Sequence, residues 1–459
     1  MLTVAQRPLD WAGSGVQPWL AAAGLIVITT LLGPSIGSGI RYPFLACAFF
    51  IGIYAWRWSP GEHLKAVLVL FAFTPFARRM VDLSAGYDYA GVMIAGPLLA
   101  LLAPIQNAHA ALSSARIRDP RLAPYFVIGA CVIYAVILSV LGGDYMPAAS
   151  GALKWAAPIL YGIFLFLARP DPNVLLDDMT KVLGWILPVM GVYGVYQYID
   201  PPLWDRYWLA IASITSAGTP EPFQVRTFST MHAPAAFATY TGAGLLLVAF
   251  LSRGAMIRVA MIPAAVALLL SLYRTAWLAL IASVIFCLLY APTRRKAGLA
   301  VAVAIAIIAA ALAFLPFADV IGDRLTTLTD PSNDASGQER VGQFFALYGR
   351  SDSSFIGNGF SNVDVGVAGA EAVDGTIIAC WTSMGIVAGL ICLAATFAML
   401  FTAISRASAN GSLHSIVLSA LLIGFLVQIP LATIISGEIG FLFFTIATLA
   451  MCCGERTTA

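Results

Sequence analysis

The sequence predicts an all-α polytopic integral membrane protein with about 12–14 transmembrane helices and one large polar loop between the late helices. Of its 459 residues, 60% are hydrophobic and only 10% are charged, whereas a soluble domain carries about 25% charged residues. The mean hydropathy is +0.87, and long apolar runs follow one another along almost the whole chain. Residues 317–375 are the one long polar interruption, so we expect this loop to lie outside the membrane.

Apolar runs of spanning length locate the individual helices, because about 20 apolar residues cross a bilayer. The runs, about fourteen by hydropathy, lie near residues 19–33, 42–58, 64–77, 89–105, 122–142, 152–168, 179–199, 232–252, 256–271, 273–290, 298–316, 376–402, 414–435 and 438–453. The stretch from Met256 to Tyr290 is too long for one helix. We predict a break at residues 271–274, since Arg274 is costly in mid-bilayer and is better placed at an interface.

These runs form a single membrane domain. Residues 1–316 make a helix bundle with an outer loop at 200–231, residues 317–375 make the large loop, and residues 376–459 make the C-terminal helices. With the N-terminus inside, about 15 lysines and arginines fall on inner segments and about 10 on outer ones. Both chain ends are then cytoplasmic, and the two loops face a periplasm or the cell exterior.

Charge and motifs exclude several classes of protein. The net charge of +2 is too small to indicate a nucleic-acid partner. There is no P-loop, no HExxH and no CxxC pair, which argues against a nucleotide-driven pump and against a zinc enzyme. The four histidines are scattered in the sequence, so we expect neither a metal site nor a cofactor. None of the seven cysteines lies in the large loop, and no disulfide framework is expected there.

Arginines at the outer helix ends are the candidate substrate-binding residues. Arg226 precedes one helix, Arg274 begins another, and Arg340 and Arg350 lie in the large loop. Arginine holds phosphate oxygens through a planar fork and keeps its charge at every physiological pH. A lipid-linked pyrophosphate is therefore a fitting ligand. The alternative is that these side chains reach lipid headgroups or pair with loop acids.

Two carboxylates are the candidate catalytic residues. Glu371 and Asp374 come just before the helix that is predicted from residue 376. Two roles stay open for Asp374: it caps this helix, or it is held over an outer cavity as a general base. Within the loop, helical spacing of apolar residues predicts an amphipathic helix over residues 338–349, and the glycines of residues 355–360 predict a tight turn.

Four fragments resemble the O-antigen ligase and polymerase family of bacterial polysaccharide synthesis (Wzy-like proteins). They are Arg226-Thr-Phe-Ser-Thr, Tyr273-Arg-Thr-Ala-Trp-Leu-Ala-Leu, Gly337-Gln-Glu-Arg and Ile356-Gly-Asn-Gly-Phe. The likeness covers residues 200–400, while the N-terminal half matches only as membrane helices. It implies a GT-C-like membrane fold in a bacterial inner membrane and a role in O-antigen, lipopolysaccharide or exopolysaccharide biosynthesis.

The resemblance also implies an activity. Such an enzyme moves a glycan from undecaprenyl pyrophosphate to an acceptor sugar on the periplasmic face, without nucleotide or metal. Arg226, Arg274 and Arg340 would hold the pyrophosphate. Ligases of the family usually place a histidine before the helix that follows the loop, where this chain has Glu371 and Asp374. This departure favours a polymerase over a ligase, and a chain-length regulator is an expected partner.

Three further readings stay open. His232, at the start of a spanning helix, is a second choice for the catalytic base. The chain would alternatively be a flippase or transporter of a lipid-linked sugar or another anionic substrate, although transporters usually show internal repeats and charges at mid-membrane. It would otherwise be a structural subunit of an envelope assembly whose loop binds a partner.

Overall fold

The computed structural model describes residues 16–212, 215–313, 355–360 and 375–454. In these residues the chain is almost entirely helical and forms no β-strand. The α-helices, in chain order, are α1 (Pro18–Ile36), α2 (Arg41–Trp58), α3 (Pro60–Ala85), α4 (Ala95–Leu101), α5 (Ala108–Leu112), α6 (Ala123–Leu141), α7 (Tyr145–Ala168), α8 (Pro172–Ile199), α9 (Leu203–Ala212), α10 (Pro234–Leu251), α11 (Ala255–Val259), α12 (Ile262–Leu270), α13 (Arg274–Leu289), α14 (Ala291–Ala313), α15 (Thr376–Asn410), α16 (Leu413–Gln428) and α17 (Gly437–Cys452).

The length and composition of these helices indicate a multi-pass membrane protein. In the described part of the chain, eight helical segments are at least 18 residues long and apolar enough to cross a membrane, and four shorter apolar segments accompany them. Wherever the structure describes an apolar run that the sequence analysis identified, most of that run is helical. The predicted break is confirmed, because α12 ends at Leu270 and α13 begins at Arg274. The all-α fold class is confirmed as well.

Helix α17 is the centre of the bundle, and α14 lies at its edge. Every residue of α17 from Ile439 to Cys452 is buried, as expected for a helix that is apolar on all sides. It contacts α7, α15 and α16. By contrast, few residues of α14 are buried, which suits a helix whose apolar side chains face lipid.

The two ends of the bundle differ, and we call one of them the loop end. Helices α3 and α8 finish at the loop end, and α10, α13, α15 and α17 begin there. Residues 200–233, which connect α8 to α10, contact the last turns of α3 through α9. The loop end is therefore partly covered by this connection.

Helix α3 is longer than the sequence analysis predicts. The apolar run ends near residue 77, but the helix continues to Ala85. Arg78 and Arg79 therefore lie in its last two turns rather than in a loop, and both are buried. Their burial has a physical cause, because each has its own polar partners: Arg79 pairs with Asp205 on α9, and Arg78 pairs with Asp82 and donates to Asp88 O.

The helices at the centre of the loop end are short. Helix α10 has 18 residues, and α13, α16 and α17 have 16 each, which gives lengths of about 24–27 Å against about 30 Å for a bilayer core. At the opposite end, Lys296 Nζ donates to Phe250 O at 2.6 Å, and Arg121 Nη1 donates to Met451 O at 3.1 Å. These bonds hold the C-terminal ends of α10 and α17 next to the basic residues of that end. The missing length therefore falls on the loop end, where non-helical connections link these helices.

The predicted tight turn at Phe355–Phe360 is confirmed, and we call these six residues the wedge. Gly357 and Gly359 have φ angles of 90° and 65°, a region that favours glycine. The wedge fills a break in α15, where Gly385 has a φ of 74° and interrupts the helix. A side chain at position 385 would collide with the backbone of the wedge.

Backbone hydrogen bonds join the wedge to the broken helix. The N–H of Asn358 donates to Thr382 O at 2.8 Å, and the N–H of Gly359 donates to Ser383 O at 3.0 Å. A break inside a helix frees carbonyl groups that lipid cannot satisfy. The wedge supplies the donors that two of these carbonyls need, so the broken helix and the wedge stabilise each other.

Phe360 joins the wedge to α6 and α7. Its N–H donates to Ser139 Oγ on α6 at 2.6 Å, and its ring is fully buried with its centroid 5.6 Å from that of Trp155 on α7. The ring occupies the space next to Gly151, where a Cβ atom would collide with it. The wedge is thereby packed between α6, α7 and α15.

Replacing Phe360 with alanine is expected to destabilise the bundle. Loss of a fully buried phenylalanine typically lowers the free energy of unfolding by about 3–5 kcal/mol. Phe355→Ala is the matched control, since Phe355 belongs to the same wedge but is 65% exposed, and we expect a change within about 0.5 kcal/mol. Thermal unfolding of the purified variants in detergent measures both effects. Equal shifts for the two variants would contradict this packing role.

Candidate functional site at the loop end

A buried ion pair lies beneath the loop end. Arg79 Nε on α3 is 2.8 Å from Asp205 Oδ1 on α9, and neither side chain has exposed surface. The guanidinium also lies over the rings of Phe76, Trp208 and Phe228, at 5.8, 5.9 and 4.9 Å from their centroids. Each charge offsets the desolvation of the other, and the aromatic faces add attraction for the cation.

Helix α8 fixes Asp205 from the other side. Asp205 Oδ2 accepts hydrogen bonds from the Tyr193 hydroxyl and from Gln197 Nε2, both at 2.6 Å. Gln197 Oε1 in turn accepts the backbone N–H groups of Phe228 and Ser229, at 3.1 and 2.8 Å. One hydrogen-bond network therefore joins α3, α8, α9 and the chain that leads into α10.

This network holds the 227–231 segment, which precedes α10, in a strained conformation. Arg79 Nη1 and Nη2 donate to the backbone carbonyls of Met231 and Ser229, each at 2.6 Å. Ser229 has a φ of 52°, in the left-handed region that residues with a Cβ rarely adopt. Its Oγ donates to Met190 O at 2.6 Å. The strain persists because several bonds determine the conformation at once.

His232 follows this segment directly and meets a carboxylate. Its Nε2 lies 3.7 Å from Glu438 Oε1 at the start of α17, with side-chain exposures of 36% for His232 and 16% for Glu438. The His232–Glu438 pair is thus partly accessible at the loop end. A histidine beside a carboxylate is an arrangement that can take a proton from a hydroxyl group, since the carboxylate stabilises the imidazolium that forms.

Other helix ends meet close to this pair. Thr239 Oγ1 on α10 donates to Gln428 Oε1 at the end of α16, at 2.9 Å. The Tyr273 hydroxyl, just before α13, donates to Leu431 O in the connection between α16 and α17, at 3.5 Å. Thr376 Oγ1, at the start of α15, donates to a carbonyl of the same connection at 2.7 Å. Five helices therefore bring their ends together at the loop end.

A crevice runs between α10, α13 and α16 below these contacts. Its lining is mostly small or apolar and consists of Ala238, Thr239, Gly242, Ala243, Leu246, Ala276, Ala279, Leu280, Ser283, Leu421, Gly424, Phe425 and Gln428. On α13 the lining begins in the first turn after Arg274, and on α10 it begins in the first turns after His232. The crevice therefore descends into the bundle from the level of these two residues.

Three of the predicted site residues are described, and they lie at the loop end. Arg274 is the first residue of α13 and is half-buried. Arg226 Nη1 donates to Ser216 O at 3.0 Å, and its backbone N–H donates to Ala217 O at 2.9 Å, so part of Arg226 stabilises the connection before α10. His232 belongs to the pair with Glu438. Outside the described residues lie Arg340, Arg350, Glu371, Asp374 and the predicted amphipathic helix over residues 338–349.

The sequence analysis missed Glu438, Arg79 and Asp205. Glu438 is the only acidic residue in the stretch 376–454, and an isolated ionisable residue in an apolar region is itself a signal of function. Arg79 has a similar signal, because two arginines directly follow an apolar run. No comparable signal distinguishes Asp205 from the other acids of its loop.

Neither metal ligands nor known relatives identify the site. Among the described residues, no group of three or more His, Cys, Asp or Glu side chains is placed to hold a metal ion. A comparison with models of protein families finds no match, and no curated protein matches this chain. The chemistry of the site therefore rests on its own residues and their geometry.

Replacing Asp205 with asparagine should strongly destabilise the loop end. The change leaves Arg79 buried without its counter-charge, and breaking a buried ion pair typically costs about 3–5 kcal/mol. Asp200→Asn is the matched control, since Asp200 pairs with Arg206 at 2.6 Å but is 62% exposed; exposed pairs contribute about 0–1 kcal/mol. Thermal unfolding in detergent compares the two, and a loss at Asp205 no larger than that at Asp200 would disprove the role of this ion pair.

Proposed function

We propose that this protein is a glycosyltransferase of the bacterial inner membrane. It polymerises, or ligates, undecaprenyl-pyrophosphate-linked oligosaccharide repeat units of an O-antigen or exopolysaccharide on the periplasmic face, without nucleotide or metal. The observation that carries the proposal is the His232–Glu438 pair, whose Nε2 and Oε1 atoms lie 3.7 Å apart and are partly exposed at the loop end, where an apolar crevice enters the bundle. Arg274 begins a helix at the same end. The sequence motifs around Arg226 and Arg274 support the same family.

The proposed topology has fourteen membrane crossings and a GT-C-like arrangement with the large loop outside. The loop end faces the periplasm, because the basic residues of the opposite end mark the cytoplasmic side. Arg121 and Lys296, which cap the ends of α17 and α10 there, belong to the clusters Arg116–Arg121 and Arg294–Lys296. Both chain ends are then cytoplasmic.

Two chemical features of the loop end support this donor. Arg274 carries a fixed positive charge at the level where a lipid-linked pyrophosphate would lie, and a guanidinium stabilises the charge that develops on this leaving group. Below Arg274, the crevice between α10, α13 and α16 presents small apolar side chains to the first isoprene units of the lipid. Membrane lipid and the lipid-linked glycan are thus the expected ligands, and a chain-length regulator is a possible partner.

The transfer step needs a base for the acceptor hydroxyl. The bond between the donor sugar and its pyrophosphate breaks, and its electron pair leaves with undecaprenyl pyrophosphate. The acceptor oxygen forms the new glycosidic bond and gives its proton to His232, whose imidazolium Glu438 stabilises. Glu371 and Asp374 remain the alternative bases, since the helix that follows them begins at the loop end.

A flippase for a lipid-linked sugar is the second candidate, and the break in α15 at Gly385 favours it. Interrupted membrane helices are typical of transporter substrate sites. In this protein, however, the wedge occupies the break, and its Phe360 ring is fully buried. The two functions differ in what accumulates: an inactive polymerase leaves single repeat units on the periplasmic face, whereas an inactive flippase leaves them on the cytoplasmic face.

Arg274→Ala should abolish long-chain polysaccharide. Removing the charge that stabilises the leaving group is expected to lower the transfer rate by about 10²–10³-fold, with single lipid-linked repeat units accumulating instead. Arg206→Ala is the control, because Arg206 lies on the same face but is bound to Asp200 in an exposed pair. Gels of polysaccharide from a deletion strain carrying each variant, at matched protein levels, measure the effect. If an Arg274→Ala variant inserts normally and still makes long chains at the wild-type level, the proposal is wrong.

A double-mutant cycle tests the His232–Glu438 pair. His232→Ala and Glu438→Gln are each expected to reduce transfer by about 10²-fold or more, and the double variant should be no worse than His232→Ala, because residues that act as a unit are not additive. Asp374→Asn and Glu371→Gln are compared in the same assay. If these two abolish transfer while His232→Ala retains it, the loop carboxylates are the base and the pair is not.

A further inference from the structure

We infer that Arg79, although buried away from the reacting atoms, is the positioning residue of His232. The inference rests on the proposed function and adds a residue to it that no motif indicates. Arg79 lies on α3, and His232 lies before α10, 153 positions later in the sequence by their numbers. The two are joined through the backbone of the 227–231 segment, which ends where His232 begins.

The guanidinium of Arg79 contacts three separate groups with three separate nitrogens. Nε faces Asp205 Oδ1 at 2.8 Å, while Nη1 and Nη2 donate to the carbonyls of Met231 and Ser229, each at 2.6 Å. Only arginine offers donors in a rigid planar fork of this kind. The carbonyl of Met231 belongs to the peptide bond that leads into His232, so Arg79 fixes the plane of that peptide.

The segment needs this support because it is strained. Ser229 has a φ of 52°, and a residue with a Cβ remains in that region only where the surroundings determine its conformation. Gln197 holds the N–H side of the segment at Phe228 and Ser229, and Arg79 holds the carbonyl side. Without the contacts of Arg79, the segment is expected to relax and to move His232 away from Glu438.

The expected consequence is a loss of rate rather than of binding. The donor would contact Arg274 and the crevice between α10, α13 and α16, and Arg79 touches none of these residues. A displacement of about 1 Å in a catalytic group can lower a rate by about 10²-fold. Arg79 therefore affects kcat through the position of the imidazole, while KM for the donor stays the same.

Arg79→Lys is the variant that tests this role, and Arg78→Lys is its matched control. Lysine keeps the charge opposite Asp205 but cannot reach two carbonyls and a carboxylate at once. Arg78 is the adjacent residue of α3 and is buried as well, but its Nε pairs with Asp82 at 3.1 Å and it does not contact the 227–231 segment. The substrate is the lipid-linked oligosaccharide extracted from the deletion strain, with purified protein in detergent.

We expect Arg79→Lys to lower kcat by about 10–100-fold at unchanged KM, and Arg78→Lys to retain both parameters. Gln197→Met removes the acceptor for the N–H groups of Phe228 and Ser229 while keeping the buried charges, and it should likewise lower kcat at unchanged KM. This variant replaces Arg79→Lys in the test if Arg79→Lys fails to fold. Normal kcat in Arg79→Lys or in a folded Gln197→Met, or an equal loss in Arg78→Lys, would overturn the inference. Such a result would leave the proposed function standing, because that function is tested separately, by whether wild-type protein transfers this oligosaccharide.

Discussion

The pairing of Arg79 with Asp205 is the interaction on which the loop end depends. A guanidinium without exposed surface has to find all its partners inside the protein, because lipid supplies none. Helix α9 therefore has to fold over α3, Gln197 has to orient Asp205, and the 227–231 segment has to turn its carbonyls inward. An apolar side chain at position 79 would impose none of these requirements. Buried polar groups are retained in some proteins because they specify one conformation, and the left-handed Ser229 is a conformation that needs such specification.

A second constraint acts on the backbone of α15. Its break at Gly385 frees carbonyl groups inside the helix, and the wedge satisfies Thr382 and Ser383 through its own N–H groups. The cost of leaving a buried carbonyl unpaired is about 1–3 kcal/mol, so the broken helix and the wedge belong together energetically. These contacts fix two points of the chain near α15. The wedge, which belongs to the large loop, is joined to α6 and α7 through Phe360, and Thr376 joins the start of α15 to the connection before α17.

The sequence predicts those features that depend on local pattern. Hydropathy predicts the helices, the cost of an arginine in mid-bilayer predicts the break before Arg274, and the glycines of residues 357 and 359 predict a turn. The sequence analysis did not predict that α3 runs to Ala85, because charged residues after an apolar run usually mark an interface. Here Arg78 and Arg79 are instead buried, each with its own acidic partner. Pairs such as Arg79 with Asp205, or His232 with Glu438, join residues far apart in the chain, and one sequence carries no record of such contacts. The predicted roles of Arg340, Arg350, Glu371 and Asp374 remain predictions.

The proposal of His232 as the base rests on where the polar groups are and on what each can do at neutral pH. Histidine is the side chain whose ordinary pKa lies closest to 7, whereas a carboxyl group ordinarily titrates near 4 and is a weak base at that pH. An acid next to histidine offsets this difference, because it stabilises the protonated ring in the transition state. Glu438 is the only acidic residue of its stretch, and its oxygen lies next to the imidazole. A carboxylate in the first turn of α17 also stabilises the helix dipole, which accounts for Glu438 but not for the histidine beside it. A base that needs a partner accounts for both residues.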